Sequence, residues 1–162
     1  YNVFLSTISD GLSRNTSHYF YGSEDLVMKK LIQKLKKDFP NINIVGSFSP
    51  PVGSYEELAE EEYVKNILDT KPDIVWVSLG FPKQELFITL FQEKYNVKSN
   101  LVGIGAVFEW VAGTKIKAPE LLANLGLEWV LRLLQEPKRL FRRYFVDNIL
   151  FLYLITKQYF KK

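Results

Sequence analysis

Apolar residues recur along this chain in two alternating patterns: short β-branched runs that read as strands, and longer stretches with a helical stripe. Residues 18–22 (His-Tyr-Phe-Tyr-Gly) form the first run. Ser23 is placed to cap a helix over 24–38, with Leu26, Val27, Leu31, Ile32 and Leu35 as its apolar stripe and five lysines on the opposite face. A second strand is predicted at 42–46. A turn-rich segment, Ser47 to Ser54, then leads into a helix over 55–69 that is acidic at its start, as the helix dipole favours. Residues 73–79 (Asp-Ile-Val-Trp-Val-Ser-Leu) are nearly continuous in apolar residues, as a strand buried on both faces should be. Gly80-Phe81-Pro82 ends that strand and starts a helix over 82–95. A fourth strand at 100–104 closes on Gly105, and helix follows from about Pro119 to Phe160, with breaks near Gly126 and Pro137.

Strands that alternate with helices across short connections make βαβ units. The expected fold is α/β: a Rossmann-like parallel sheet with helices on both faces, plus a C-terminal helical appendage. The expected division is 1–125 for the sheet domain and 126–162 for the appendage. A length of 162 residues with 47% hydrophobic content fits a folded domain. With no cysteine, thiolate metal sites are excluded, and the single histidine, His18, argues against a histidine-rich metal site or a Ser-His triad. The net charge of +3 is uneven: from Arg132 to Lys162 eight basic residues face two acidic ones, leaving +6 there and −3 on the remainder. Such an end suits an anionic partner. The sequence opens on Tyr1 and reads as the middle of something longer, with neither a signal peptide nor an apolar run of membrane-spanning length.

Glycines stand at all four strand exits: Gly22, Gly46, Gly80 and Gly105. In an open parallel sheet these exits share one edge, and ligands bind in the crevice outside it. The same glycines also suit tight βα turns. Gly80, Pro82, Lys83, Gln84 and Glu85 place an ammonium, a carboxamide and a carboxylate at a helix start on that edge, where free N–H groups favour phosphate. The composition fits equally a solvated Lys83 and a Glu85 that complements the helix dipole. Gly103-Ile104-Gly105 lacks the third glycine of a dinucleotide fingerprint. Glu109, just beyond, suits ribose hydroxyls or a surface position beside Trp110.

Gly80 to Glu85 resembles the Gly-x-Pro-Lys-Gln-Glu signature of the WecG/TagA/CpsF glycosyltransferases. Gly103 to Gly113 is similar to that family's Gly-x-Gly-Ala-x-Phe-Asp-x-x-x-Gly block, and Lys117-Ala118-Pro119 to its Arg-Ala-Pro. Leu125 to Trp129, Arg132-Leu133, Glu136 to Arg139 and Arg142 to Tyr144 follow its Gly-Leu-Glu-Trp…Arg-Leu…Glu-Pro-x-Arg…Arg-Tyr ending. The resemblance implies metal-independent, inverting transfer of a hexose or N-acetylhexosamine-type sugar. The donor would be a UDP-sugar and the acceptor a polyprenyl-diphosphate-linked molecule of bacterial surface polysaccharide or teichoic acid synthesis. No cofactor is implied, and no Asp-x-Asp metal motif occurs.

Glu109 stands where the family usually has Asp, and Lys117 where it usually has Arg, which alone makes a bidentate fork. The family's N-terminal Thr-Pro-Asn motif and catalytic Asp-Gly have no counterpart, so the catalytic base is unknown. Asp10-Gly11 is a candidate for it, but lies only a few residues before the first strand and reads as an ordinary loop turn. The alternative is a non-catalytic nucleotide-binding or scaffold module. Arg132, Arg139, Arg142 and Arg143 would meet a nucleotide or lipid diphosphate. The apolar-aromatic stretch after them suits a helix lying on an anionic membrane, as well as one packed on the domain. The expected location is cytoplasmic, peripheral on the inner face of the cell membrane. The sequence is compatible with an oligomer, and nucleic acid is not an expected partner, since the basic residues sit on one apolar helical end.

Overall fold

The computed structural model describes residues 1–117, 119, 122, 125–126, 128–135 and 137–159; for Glu128, Arg132, Lys138, Arg139 and 142–144 it describes the backbone alone. The chain forms two compact units, Tyr1–Lys115 and Ile116–Lys162.

The first unit is built on four parallel strands: β1 (Ser17–Gly22), β2 (Asn43–Phe48), β3 (Ile74–Ser78) and β4 (Asn100–Gly103). Their spatial order is β2-β1-β3-β4. The chain therefore steps from β1 to one side and returns across it to the other. The switch point lies between β1 and β3, and ligands of such sheets bind outside the carboxyl ends there.

The period of two along each strand sorts side chains between the faces. Phe20 and Trp76 point to the face covered by α1 (Asn2–Gly11), α2 (Asp25–Asp38) and α6 (Val107–Val111). Tyr19, Tyr21, Val75 and Val77 point to the face covered by α3 (Tyr55–Leu58), α4 (Glu61–Thr70) and α5 (Lys83–Tyr95). Fully buried aromatic rings fill both layers, with Phe4 edge-on to Trp76 at 4.8 Å and Tyr21 stacked on Phe87 at 4.8 Å.

Several local expectations are corrected. Ser23 is not a helix cap: its φ is +61°, its N–H donates to Ser78 O, and Glu24 holds the N-cap position of α2. Leu26 is exposed and Met28 takes its place in the buried stripe. The helix expected over 55–69 is two helices. Tyr21 Oη donates to Leu58 O and Tyr95 Oη to Ala59 O, so core tyrosines occupy carbonyls at the break. Asp10 lies in the last turn of α1, not in a loop. That helix was not expected because its buried stripe is only Phe4 and Ile8 before Gly11.

Gly46 is not a strand exit. β2 runs on to Phe48, and a bulge opposite His18 and Tyr19 brings Gly46 beneath the Tyr19 ring. A Cβ on Gly46 would lie 2.4 Å from that ring, so packing accounts for the glycine.

The amino edge is fastened by Asp73, whose Oδ2 accepts from Ser17 N and Ser17 Oγ, each at 2.7 Å. These bonds hold the Asp73 carboxyl below its ordinary pKa. Beside it His18 is buried, its Nδ1 accepting from Trp76 Nε1 at 3.2 Å.

In the second unit, α7 (Glu128–Gln135) and α8 (Pro137–Phe141) lead through a π-helical segment (Arg142–Asp147) into α9 (Asn148–Tyr159). Ile149, Phe151, Leu152, Tyr153 and Leu154 of α9 are all exposed, and no residue of that helix is buried. No helix among the described residues is long and apolar enough to cross a membrane.

Burial holds the His18 imidazole below its ordinary value of 6.5, against a smaller opposite pull from Asp73. The unfolded chain therefore takes up this proton first. The resulting stability is full above the unfolded value and is lost as pH falls through the folded one. We predict that urea unfolding between about pH 7 and pH 5 shows falling stability, and that His18→Asn flattens this slope while lowering stability throughout. An unchanged slope in the variant would contradict a buried neutral His18.

Candidate functional site at the carboxyl edge

Three strand exits meet at the carboxyl edge. β1 ends at Gly22 with φ +110°, and a Cβ there would lie 2.3 Å from Ser78 O. Only hydrogen fits between the two central strands. The next residue, Ser23, donates its N–H to the same carbonyl at 2.9 Å.

From β3 the chain passes Gly80, with φ +77°, and the cis Phe81–Pro82 peptide before entering α5. Gly80 O accepts from Gln84 N at 2.9 Å, closing the turn. From β4 it passes Gly105, with φ +56°. Apart from its own chain neighbours, neither Gly80 nor Gly105 has any atom of the described residues within 4 Å of where a Cβ would stand. Both combine a glycine-favouring backbone with open space, which allows a ligand to approach the main chain.

Lys83, Gln84 and Glu85 form the first turn of α5, as expected, but their side chains are engaged internally. Lys83 Nζ donates to Gly53 O at 2.7 Å, tying the start of α5 to the β2–α3 loop. Gln84 is 6% exposed. Its Oε1 accepts from Gly105 N at 3.0 Å and its Nε2 donates to Glu85 Oε1 at 2.9 Å. The opposite amide orientation would set NH2 against an N–H, and oxygen against a carboxylate.

Glu109 lies on α6, four residues beyond Gly105. Its Oε1 is 3.5 Å from Lys115 Nζ, and its Oε2 is buried with no partner among the described residues.

The fold thus brings Gly80, Pro82, Lys83, Gln84, Glu85 and Gly105 together on one edge. Asp10 lies at the other. Gly11 O accepts from Thr16 N just before β1, and a Cβ on Gly11 would lie 3.5 Å from His18 Nε2. The six residues of β1, at roughly 3.3 Å each, separate that position from the carboxyl edge. The side chains of Arg132, Arg139, Arg142 and Arg143 lie outside the described residues.

Sequence reasoning missed Ser78, whose Oγ donates to Gly105 O at 2.6 Å. Its signal was a hydroxyl at the exit of an otherwise apolar strand. It also missed the positive φ of Ser23, for which serine gives no warning.

The two kinds of glycine should respond differently to alanine. Gly105→Ala carries only the left-handed backbone cost, about 1–2 kcal/mol. Gly22→Ala must also push Ser78 O away, and we predict a loss at least about 1 kcal/mol greater in urea unfolding. Equal losses would contradict the close approach of β1 and β3.

A model of the glycosyl transferase WecG/TagA/CpsF family matches residues 2–162. Among curated proteins, the chain is 32% identical over 139 residues to an N-acetylglucosaminyldiphosphoundecaprenol N-acetyl-beta-D-mannosaminyltransferase of Bacillus spizizenii, covering 86% of this chain and 52% of that protein. Proteins of the same name from Bacillus subtilis and Staphylococcus aureus (strain MW2) are 31% and 33% identical over the same length and with the same coverage. The chain spans about half the length of the curated relatives it matches.

Proposed function

The chain belongs to the glycosyl transferase WecG/TagA/CpsF family, and from that premise we propose that its carboxyl edge binds the nucleotide of a UDP-sugar for glycosyl transfer. The observation that carries this reading is the pair of exits at Gly80 and Gly105, with open main chain beside the β1/β3 switch point. The diphosphate lies against the turns at Gly80 and Gly105, where the first N–H groups of α5 favour an anion. The partly exposed Glu109 side chain, just beyond Gly105, accepts from a ribose or sugar hydroxyl. Lys83 supplies positive charge at the start of α5 while bonded to Gly53 O.

The sugar is a hexose or N-acetylhexosamine, and the relatives' name supports N-acetylmannosamine. The acceptor is a saccharide on a polyprenyl diphosphate, which the relatives' N-acetylglucosaminyldiphosphoundecaprenol supports, in bacterial cell-envelope polysaccharide or teichoic acid synthesis. An acceptor of that kind resides in a membrane. The second unit suits such a surface: α9 exposes Ile149, Phe151, Leu152 and Leu154, and the segment before it carries Arg139, Arg142 and Arg143. Apolar insertion combined with attraction to anionic headgroups is the behaviour of an interfacial helix.

Titration calorimetry tests the nucleotide reading: UDP should bind and NAD should not. Tight NAD binding without UDP binding would replace it with a dinucleotide-binding one. Co-sedimentation tests the membrane reading: the protein should pellet more with anionic than with neutral vesicles, and replacing Arg142 and Arg143 by Gln should reduce the difference. Equal pelleting with both vesicles, unaffected by the replacements, would sink the electrostatic docking.

A further inference from the structure

Ser78 joins three strand exits by hydrogen bonds. Its carbonyl accepts from Ser23 N at the end of β1, at 2.9 Å. Its hydroxyl donates to Gly105 O beyond β4, at 2.6 Å. On the other side of the same residue, Gly105 N donates to Gln84 Oε1 at 3.0 Å. Gly105 is therefore gripped at both its N–H and its C=O, by side chains from β3 and α5. Both side chains belong to residues only 6% exposed, so water competes poorly for either bond.

A glycine with positive φ and, among the described residues, no neighbour at its Cβ position would otherwise range widely in φ and ψ. Gln84 cannot easily swing aside, because it lies against β4, where a Cβ on Gly103 would be 3.0 Å from its Nε2. The Ser78 hydroxyl has a single proton, and Gly105 O takes it. Ser78 thus acts on the turn, and its proton is not offered to a ligand.

We infer that Ser78, together with Gln84, is a positioning residue that holds the Gly105 turn in the one backbone conformation that presents its open face to the donor's diphosphate-sugar. This rests on the nucleotide reading proposed above. Fixing the turn before binding spares the complex the entropy of ordering it.

Two measurements on Ser78→Ala and Ser78→Thr test the inference: UDP affinity by calorimetry, and amide hydrogen exchange across the first unit. Ser78→Ala should weaken UDP about tenfold, the loss expected for one shielded hydrogen bond. It should also speed exchange locally, at Gly105 and Ala106, with the central strands unchanged. Ser78→Thr keeps the hydroxyl and should restore both. Wild-type affinity in Ser78→Ala, or faster exchange throughout the sheet, would overturn positioning in favour of no role or of plain stability. Should the alanine variant not fold, Ser78→Cys, similar in shape but a weak donor, carries the same expectations. If the wild-type protein binds no UDP, the nucleotide reading fails separately and exchange alone judges Ser78. A local rise in Ser78→Ala then retains the grip on the turn, and unchanged exchange at Gly105 overturns it.

Discussion

Between β1 and β3 the carboxyl edge leaves no room for a side chain. Gly22 passes so close to the Ser78 carbonyl that a Cβ would lie 2.3 Å from it. That approach lets Ser23 N–H reach the same carbonyl, which sends the chain out of β1 with two successive positive φ angles. The hydroxyl of Ser78 meanwhile faces the other way and holds Gly105. One residue pair thus fixes how the β1, β3 and β4 exits stand to each other. At the amino edge Asp73 fastens the starts of the same strands through Ser17 and Asn100. The sheet is tied at both ends by hydrogen bonds and filled between by aromatic rings on both faces.

This arrangement separates support from presentation. Gln84, Ser78 and Lys83 spend hydrogen bonds inside the protein, on Gly105 and Gly53. Among the described residues, what the edge leaves open is main chain at Gly80 and Gly105. A phosphate-bearing ligand is well served by such a surface, because backbone N–H groups at a helix start need no side chain to bind an anion. Membership of a glycosyltransferase family and an edge of this chemistry point in the same direction.

The four strands of a parallel sheet covered on both faces were legible because β-branched and aromatic runs alternating with helical stripes leave few alternatives. The glycines themselves were only partly legible. Gly22, Gly80 and Gly105 do mark turns, whereas Gly46 answers to the Tyr19 ring, a contact made across strands and invisible to local pattern. The split between α3 and α4 has the same origin, since Tyr21 and Tyr95 reach Leu58 O and Ala59 O from distant elements. Gln84 attracted notice as a polar residue at a helix start. Its burial, and its bond to Gly105, depend on how α5 packs against β4. Asp10 shows the converse: an Asp-Gly pair has meaning only with its place in the fold, and here that place is the last turn of α1 at the amino edge.

On the reading proposed above, one edge of this sheet, organised by the Gly22–Ser78 contact, receives the nucleotide. Backbone amide chemical shifts recorded while UDP is added test it most directly. Shifts should concentrate at Ser23, Gly80, Phe81 and the Gly105–Val107 turn, with the amino-edge residues Thr16 to His18 unmoved. Shifts centred on the amino edge, or spread evenly through the unit without a focus at Gly80 and Gly105, would contradict it.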